Sequence, residues 1–214
     1  MDLKTLKQEA KKPSTSKERL LELAKIDASL SREIAKRYVL PLEVAKELCK
    51  NRDMPTRAAL AKNHTAPLEI LEILAKDPQW TVAKAVLGAK VNRKITLSRM
   101  IFETIARHKR HTVRQTAAEH SHCPADILEE LSRDVAPEVR ASVADNFKVT
   151  PEILHRLATD TELRVVWTVA SHVNTSSETL DLLAQHPNSR TREQSIDPYL
   201  SHSRTREIPV TRLE

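Results

Sequence analysis

The chain has 214 residues, 40% hydrophobic and 30% charged, yet only one Gly, two Cys and two each of Trp, Tyr and Phe. Phosphate-binding loops, dinucleotide fingerprints, serine-hydrolase elbows and EF-hand loops all need glycine where the backbone turns sharply or meets a ligand closely, and Gly88 alone supplies none of them. Two cysteines are too few for a four-cysteine zinc or iron–sulfur site or for a disulfide framework.

The formal net charge is +6, with a pI near 9.4, and it is unevenly spread. Residues 1–107 carry 22 Lys+Arg against 13 Asp+Glu, whereas residues 108–214 carry 13 against 16. A basic first half suits an acidic partner. Apolar runs such as Val165-Val166-Trp167 fall far short of the ~20 residues that cross a bilayer. The N-terminus lacks a charged-then-apolar signal pattern, so the expectation is a cytoplasmic protein that does not engage a membrane.

In chain order, residues 1–14 are polar and basic up to Pro13 and are expected to form a mobile N-terminal segment. Thereafter a unit of about 26 residues repeats seven times to residue 198. Its anchor is the second leucine of an x-L-x-x-L-A pattern: Leu23, Leu48, Leu74, Ile105, Leu131, Leu157 and Leu183. Small residues follow one position later, from Ala24 and Cys49 to Ala184. Eight positions after the anchor stand Ser31, Thr56, Val82, Val113, Val139, Val165 and Thr191; twelve after it stand Ala35, Leu60, Val86, Ala117, Val143, Val169 and Ser195.

Apolar residues three and four before the anchor, as in Ile70, Leu71 and Leu74, give the one-faced spacing of a first helix. Pro41, Pro67, Pro124 and Pro151 mark the starts of four such helices. Thr15 with Glu18 and Thr175 with Glu178 have capping-box spacing. A turn then carries Asn51, Asp77, Asp134 or Asp160, and a second apolar pair such as Val139 and Val143 predicts a short second helix. The spacing between Leu74 and Ile105 is longer than the others, which places an insertion at about Ala89–Thr96, a loop with the basic tip Lys90-Val91-Asn92-Arg93-Lys94. Residues 199–214 lose the pattern and are expected to form a disordered tail.

Six or seven apolar side chains per unit, each contributing ~1.5–3 kcal/mol when buried, do not offset an ordering cost of ~1–2 kcal/mol per residue. One unit therefore cannot fold alone, and stacking must complete its core. The expected fold is an all-α, right-handed α-solenoid of about seven ~26-residue two-helix repeats.

The pattern P-x-x-[IL]-L-x-x-L-[AS]-x-D-x-x-x-x-V-R-x-x-V-A-x-N, fullest in Pro124–Asn146 and present with departures in Pro67–Leu87, resembles the leucine-rich repeat variant, a HEAT-like α-solenoid family. The resemblance covers about residues 16–198. It implies a curved rod in which an α-helix alternates with a shorter, tighter helix. Some members of that family hold an iron–sulfur cluster on an N-terminal cysteine-rich segment. Because this chain has no cysteine before Cys49, that cofactor does not carry over, and no other cofactor is implied.

Nine positions after the anchor, five units have arginine: Arg32, Arg57, Arg114, Arg140 and Arg192. Such a ladder could follow a phosphate backbone, but it reads better as structural, with Arg140 pairing to Asp134 in the preceding turn. His108, His111, His120, His122 and Cys123 cluster like zinc ligands. Most of them are explained by the repeat: His108 and His186 hold the Asp/Asn turn column, and His120 and His172 share the column of Asn63 and Asn146 fifteen after the anchor, where bonding to a turn backbone is expected. No metal site is assigned. Cys49 and Cys123 lie in different units and are expected to be reduced.

Positions ten and fourteen after the anchor define an exposed strip along the second helices, basic early and acidic late. It gives Arg37, Lys62 and Lys84 as partner-binding candidates, with Arg93 and Lys94 from the loop. Trp167 joins them as an aromatic at a position that is otherwise polar or small, although it could equally pack over the adjoining repeat. Trp80 is read as the cover of a helix end. No nucleophile, acid–base pair or metal set converges, so the first reading is a non-enzymatic scaffold for a protein partner with an acidic surface. The alternative is nucleic-acid binding through the basic half, since alkylpurine DNA glycosylases are similar HEAT-like solenoids. Against base extrusion, Trp80 and Trp167 stand three units apart, about 30 Å at ordinary helix spacing, and cannot enclose one base together.

Overall fold

The computed structural model describes residues 2–88 and 97–196. Among these residues there are fifteen α-helices and no strand. They are α1 (Leu3–Lys11), α2 (Lys17–Ile26), α3 (Ala28–Ala35), α4 (Leu42–Cys49), α5 (Met54–Ala61), α6 (Leu68–Ala75), α7 (Trp80–Gly88) and α8 (Arg99–Ala106), followed by α9 (His111–Ala118), α10 (Ala125–Leu131), α11 (Pro137–Asp145), α12 (Pro151–Leu157), α13 (Leu163–Ser171), α14 (Ser177–Ala184) and α15 (Ser189–Ile196). The chain divides into two compact bodies, Met1–Ile127 and Leu128–Glu214, and α10 contains the boundary. The basic loop with Arg93 and Lys94, and the tail 199–214, lie outside the described residues.

In the first body, α2, α4, α6 and α8 pack in sequence as one layer, and α1, α3, α5, α7 and α9 as a second. In the second body α11, α13 and α15 make a layer of the same kind, paired with α12 and α14. The apolar columns read from the sequence form the core of each body. All seven anchors are buried, and so are all seven residues eight positions later. Where the spacing eight after the anchor brings Ser31, Thr56 or Thr191 inside, the hydroxyl is bonded: Ser31 donates to the Ala24 carbonyl at 2.7 Å and Thr56 to the Asp53 carboxylate at 2.6 Å, which removes the cost of burying it.

Three local expectations are corrected. First, from α4 onward the second helices are α-helical and at least as long as the first ones, with 9 residues in α7, α11 and α13 against 8, 7 and 7 in α6, α10 and α12; only α3, with 8 residues against 10 in α2, is shorter. A buried residue at position eight and another at position twelve are one turn apart, and two full turns are needed to present both. Second, the N-caps are Ser16 and Ser176, one residue after the threonines read as caps. Thr15 and Thr175 instead donate back to the Glu9 and Val169 carbonyls, at 2.5 and 2.6 Å, closing the preceding helix. Third, residues 3–11 form α1, with Leu6 and Ala10 buried. Asp2 caps it through the Thr5 N–H at 2.8 Å, and Arg19 holds Glu9 with two bonds of 2.7 and 3.1 Å. α1 packs on α3 as a second-layer helix.

Adjacent repeats are joined by the arginine ladder. Arg57 donates through Nη1 to the Asn51 carbonyl at 2.7 Å in its own turn, and through Nε and Nη2 to the Asp77 carboxylate at 2.6 and 3.2 Å in the next. Arg140 repeats this geometry on the Asp134 carbonyl and the Asp160 carboxylate. The expected pairing of Arg140 with the Asp134 side chain is thus replaced by a backbone bond, and its carboxylate partner belongs to the following repeat. A planar guanidinium has enough donors to serve both at once. Arg114 and Arg192 make the same contacts with their own turns, at His108 and His186. Burial opposes ionisation of Asp160, but the Arg140 bonds outweigh it and hold the carboxyl below its ordinary value.

The turn residue three after the anchor accepts the backbone N–H two positions on. Asn51, Asp77, Asp134 and Asp160 do so with an oxygen, at 2.8 to 2.9 Å, and His108 and His186 do so with Nδ1 at 3.1 Å. The column fifteen after the anchor behaves alike: Asn63 and Asn146 use oxygen, His120 and His172 use Nδ1. An imidazole nitrogen substitutes for an amide oxygen here only while it is unprotonated.

Two outcomes follow. Asp160→Ala leaves the Arg140 guanidinium, 15% exposed, without its carboxylate and is expected to lower unfolding free energy by about 3 kcal/mol in urea titration; Asp126→Ala, which removes the exposed pair with Arg99, is expected to cost far less. For His108, burial, followed by the nearby Lys109, Arg110 and Arg114 charges, pushes the pKa below its ordinary value. Its contribution is therefore complete above an unfolded-state pKa of about 6.5 and is lost as pH falls through the folded value. His108→Asn, which keeps the acceptor and removes the titration, should lose less stability than the native chain between about pH 7.5 and pH 5; an equal loss contradicts this role.

Candidate partner-binding groove

The second-helix layer of the first body carries two open depressions that meet at Lys62. One, of about 550 Å3, is lined by Lys36, Met54, Pro55, Ala58, Lys62 and His64 among others. The other, of about 510 Å3, is lined by Lys62, Trp80, Thr81, Lys84, Thr116 and Glu119 among others. Their floor is apolar because Met54 and Trp80 open α5 and α7 at the same register, six after the anchor, and project from the start of each helix. Thr81 Oγ1 donates to Met54 Sδ at 3.5 Å, and the Arg110 guanidinium lies 5.3 Å from the centre of the Trp80 ring, a cation–π arrangement. His64 lies against Tyr38 with ring centres 5.6 Å apart and the planes tilted by 52°.

The charges of the groove differ in how they are engaged. Lys36 pairs with Glu33 at 3.3 Å, and Glu33 also meets Lys11 at 3.2 Å. Glu119 accepts from Gln115 at 2.8 Å. Lys62 and Lys84 are exposed, and among the described residues their side chains have no ion-pair or hydrogen-bond partner. The middle of the groove thus presents positive charge over an apolar floor.

Of the six residues expected to bind a partner, the structure brings Lys62 and Lys84 together here. Arg37 is removed from the set: it is 8% exposed and donates to the carbonyls of Ala10, Lys12, Pro13 and Val39, at 3.0 Å for Lys12 and 3.2 Å for Val39. The end of α1 and the chain after it cover the first repeat, so the register that exposes Lys62 buries Arg37. Arg93 and Lys94 lie outside the described residues. Trp167 is half-buried in the second body; its Nε1 donates to Thr191 Oγ1 at 2.9 Å, and Arg190 lies 4.6 Å from its ring centre. It packs against the adjoining repeat. Trp80 lines the groove rather than serving only as the cover of a helix end, and Met54, at a position outside the apolar columns, lines it as well. The signal was their common register, which places two large apolar residues on the same edge of consecutive second helices.

The other polar candidates are engaged in the fold. His155 bonds Thr179 at 2.9 Å, and Asp160 bonds Arg140. Burial, with the Asp77 charge adding to it, pushes the Cys49 thiol up to about 11, away from the thiolate that nucleophilic chemistry needs. Both cysteines are unbridged. Among the described residues no three His, Cys, Asp or Glu side chains converge as metal ligands.

No protein-family model matches the sequence, and no curated protein matches it. Among solved structures, a leucine-rich repeat variant with a novel repetitive structural motif aligns over 85% of this chain and 70% of its own, with 27% identity and a TM-score of 0.66. The chain has the fold of a leucine-rich repeat variant. Computationally designed armadillo repeat proteins for modular peptide recognition align over 92% of this chain and 98% of theirs, at 15% identity and a TM-score of 0.32. The leucine-rich repeat variant fold agrees with the buried anchor columns, and the chain is a helical-repeat solenoid. None of its described helices is long and apolar enough to cross a membrane.

Proposed function

We propose that this leucine-rich repeat variant is a non-enzymatic scaffold that binds a protein partner with an acidic surface through the second-helix layer of its first body. The observation that carries the reading is the pair of unpartnered cations, Lys62 and Lys84, set over the floor of Met54 and Trp80. Charge without an internal partner attracts and orients an acidic partner, and apolar floor released from water holds it. The engagement of His108, His155 and His186 in turns and interhelical bonds, together with the raised Cys49 thiol, supports a binding role over a catalytic one. Two unbridged cysteines fit a cytoplasmic setting. The solenoid is proposed to run through residues 15–198, with α1 continuing its second layer.

Nucleic acid is the second reading, favoured by the same cations together with Arg110. It is weaker because Arg57, Arg114, Arg140 and Arg192 of the ladder are turned onto turn carbonyls and carboxylates and leave no row of arginines to follow phosphates. The two readings separate in one pull-down at low salt from lysate before and after nuclease treatment, with the native chain beside Lys62→Glu/Lys84→Glu. A protein retained by the native chain and lost by the variant is expected. Retention of nucleic acid alone before nuclease, or equal capture by the variant, contradicts the scaffold reading.

A further inference from the structure

The groove also constrains the form of its occupant. Helices of one packed layer stand ~8–10 Å apart, and Met54 and Trp80 hold the same register on the neighbouring helices α5 and α7. Two apolar seats are therefore separated by about one turn of an extended chain in polyproline II conformation, three residues at ~3.1 Å each, which brings every third side chain back to the same face; a β-strand would turn it to the opposite one. An α-helical ligand advances only ~1.5 Å per residue and is about 10 Å wide, broader than one interhelix furrow. Between and beside the seats stand Lys62, Lys84 and Arg110. The acids that flank them, Glu33 and Glu119, are already engaged at the two ends. The side chains of Lys62 and Lys84 thus have no ion-pair partner among the described residues, while the seats lack apolar cover.

A single-stranded nucleic acid would bring charge of the right sign but needs an open aromatic face for its bases, and the large ring of this groove already carries Arg110 at 5.3 Å. A peptide meets the demand better, because carboxylates and apolar side chains alternate on one backbone. We infer that the groove binds an extended, acidic peptide segment whose apolar side chains, about three residues apart, seat beside Met54 and Trp80 while intervening carboxylates pair with Lys62, Lys84 and Arg110. This inference rests on the scaffold reading and specifies its ligand.

The test is fluorescence anisotropy on the full chain with a labelled peptide of about twelve residues in which Leu recurs at every third position among Asp and Glu. Three comparators are measured beside it: the same composition with the Leu residues made contiguous, a Lys/Arg version of the first peptide, and an oligodeoxythymidine of about the same length. The native chain is expected to bind the first peptide, with affinity falling as salt rises. Affinity should fall at least about tenfold for Lys62→Glu/Lys84→Glu, and by less for Lys62→Gln/Lys84→Gln, which removes charge without reversing it. Both lysines are exposed, so unchanged helical circular dichroism and melting accompany these variants. The contiguous-Leu peptide should bind several-fold more weakly, and the basic peptide not detectably.

Equal binding of the spaced and contiguous peptides, or equal binding by the native chain and the Glu variant, overturns the inference. So does tighter, Lys62/Lys84-dependent binding of the oligonucleotide. If the peptide does not bind while the nuclease-treated pull-down still yields a protein dependent on Lys62 and Lys84, the extended acidic occupant falls and the scaffold reading stands. If both fail, both fall.

Discussion

Everything in this chain depends on the inability of a two-helix repeat to bury its own apolar residues. A helix of eight residues is below the length that is stable by itself in water, and its apolar stripe has to be covered from outside. Position eight after the anchor is where that constraint is tightest. All seven residues there are buried, and only Val, Ser and Thr occur, side chains compact enough to let second helices approach closely. The arginine at the next position lies at the rim of that contact. At Arg57 and Arg140 it ties the turn of its own repeat to the carboxylate of the next, so there the apolar and ionic links between repeats are made by adjacent residues.

This arrangement determines which charges remain without an internal ion pair. Two of the arginines nine after the anchor, Arg57 and Arg140, are held in clamps, with side chains only 12% and 15% exposed. Lysines ten and fourteen after it point away from the clamp, and Lys84 and Lys62 stand on the open side of the second-helix layer. Basic residues that look equivalent in composition therefore do different work, and position in the repeat decides which. α1 adds the same discrimination at one end. By covering the first repeat it turns Arg37, in the register of Lys62, into a structural donor to backbone carbonyls.

The repeat, its columns and its turn chemistry were readable because they recur. The equivalence of His108 and His186 with Asp and Asn could be inferred from register alone, and the structure shows the acceptor atom that makes it work. What the sequence did not reveal was mostly non-repeating. α1 offers only Leu6 and Ala10 as buried residues in a lysine-rich stretch, and its value comes from α3, which sequence spacing does not place beside it. The burial of Arg37 follows from α1 and was hidden with it. The caps at Ser16 and Ser176 were misplaced by one residue because Thr-Ser offers two hydroxyls, and only the backbone direction decides which one faces the helix. The partner of Arg140 was misjudged because Asp134 is nearer in sequence, although Asp160 is nearer in space. Trp80 and Met54 were legible in principle, since they share a register; a column occupied by dissimilar residues in the other repeats does not announce itself as conserved in character.

The claim that neighbouring repeats hold one another through the clamp is tested most directly by a double-mutant cycle on Arg57 and Asp77, with Arg57→Ala, Asp77→Ala and the double variant compared in urea unfolding. The account predicts strong non-additivity, a coupling of about 1.5–3 kcal/mol, because each single change strands the other group. Losses that add to within about 0.3–0.5 kcal/mol would contradict it and leave apolar stacking alone to join the repeats.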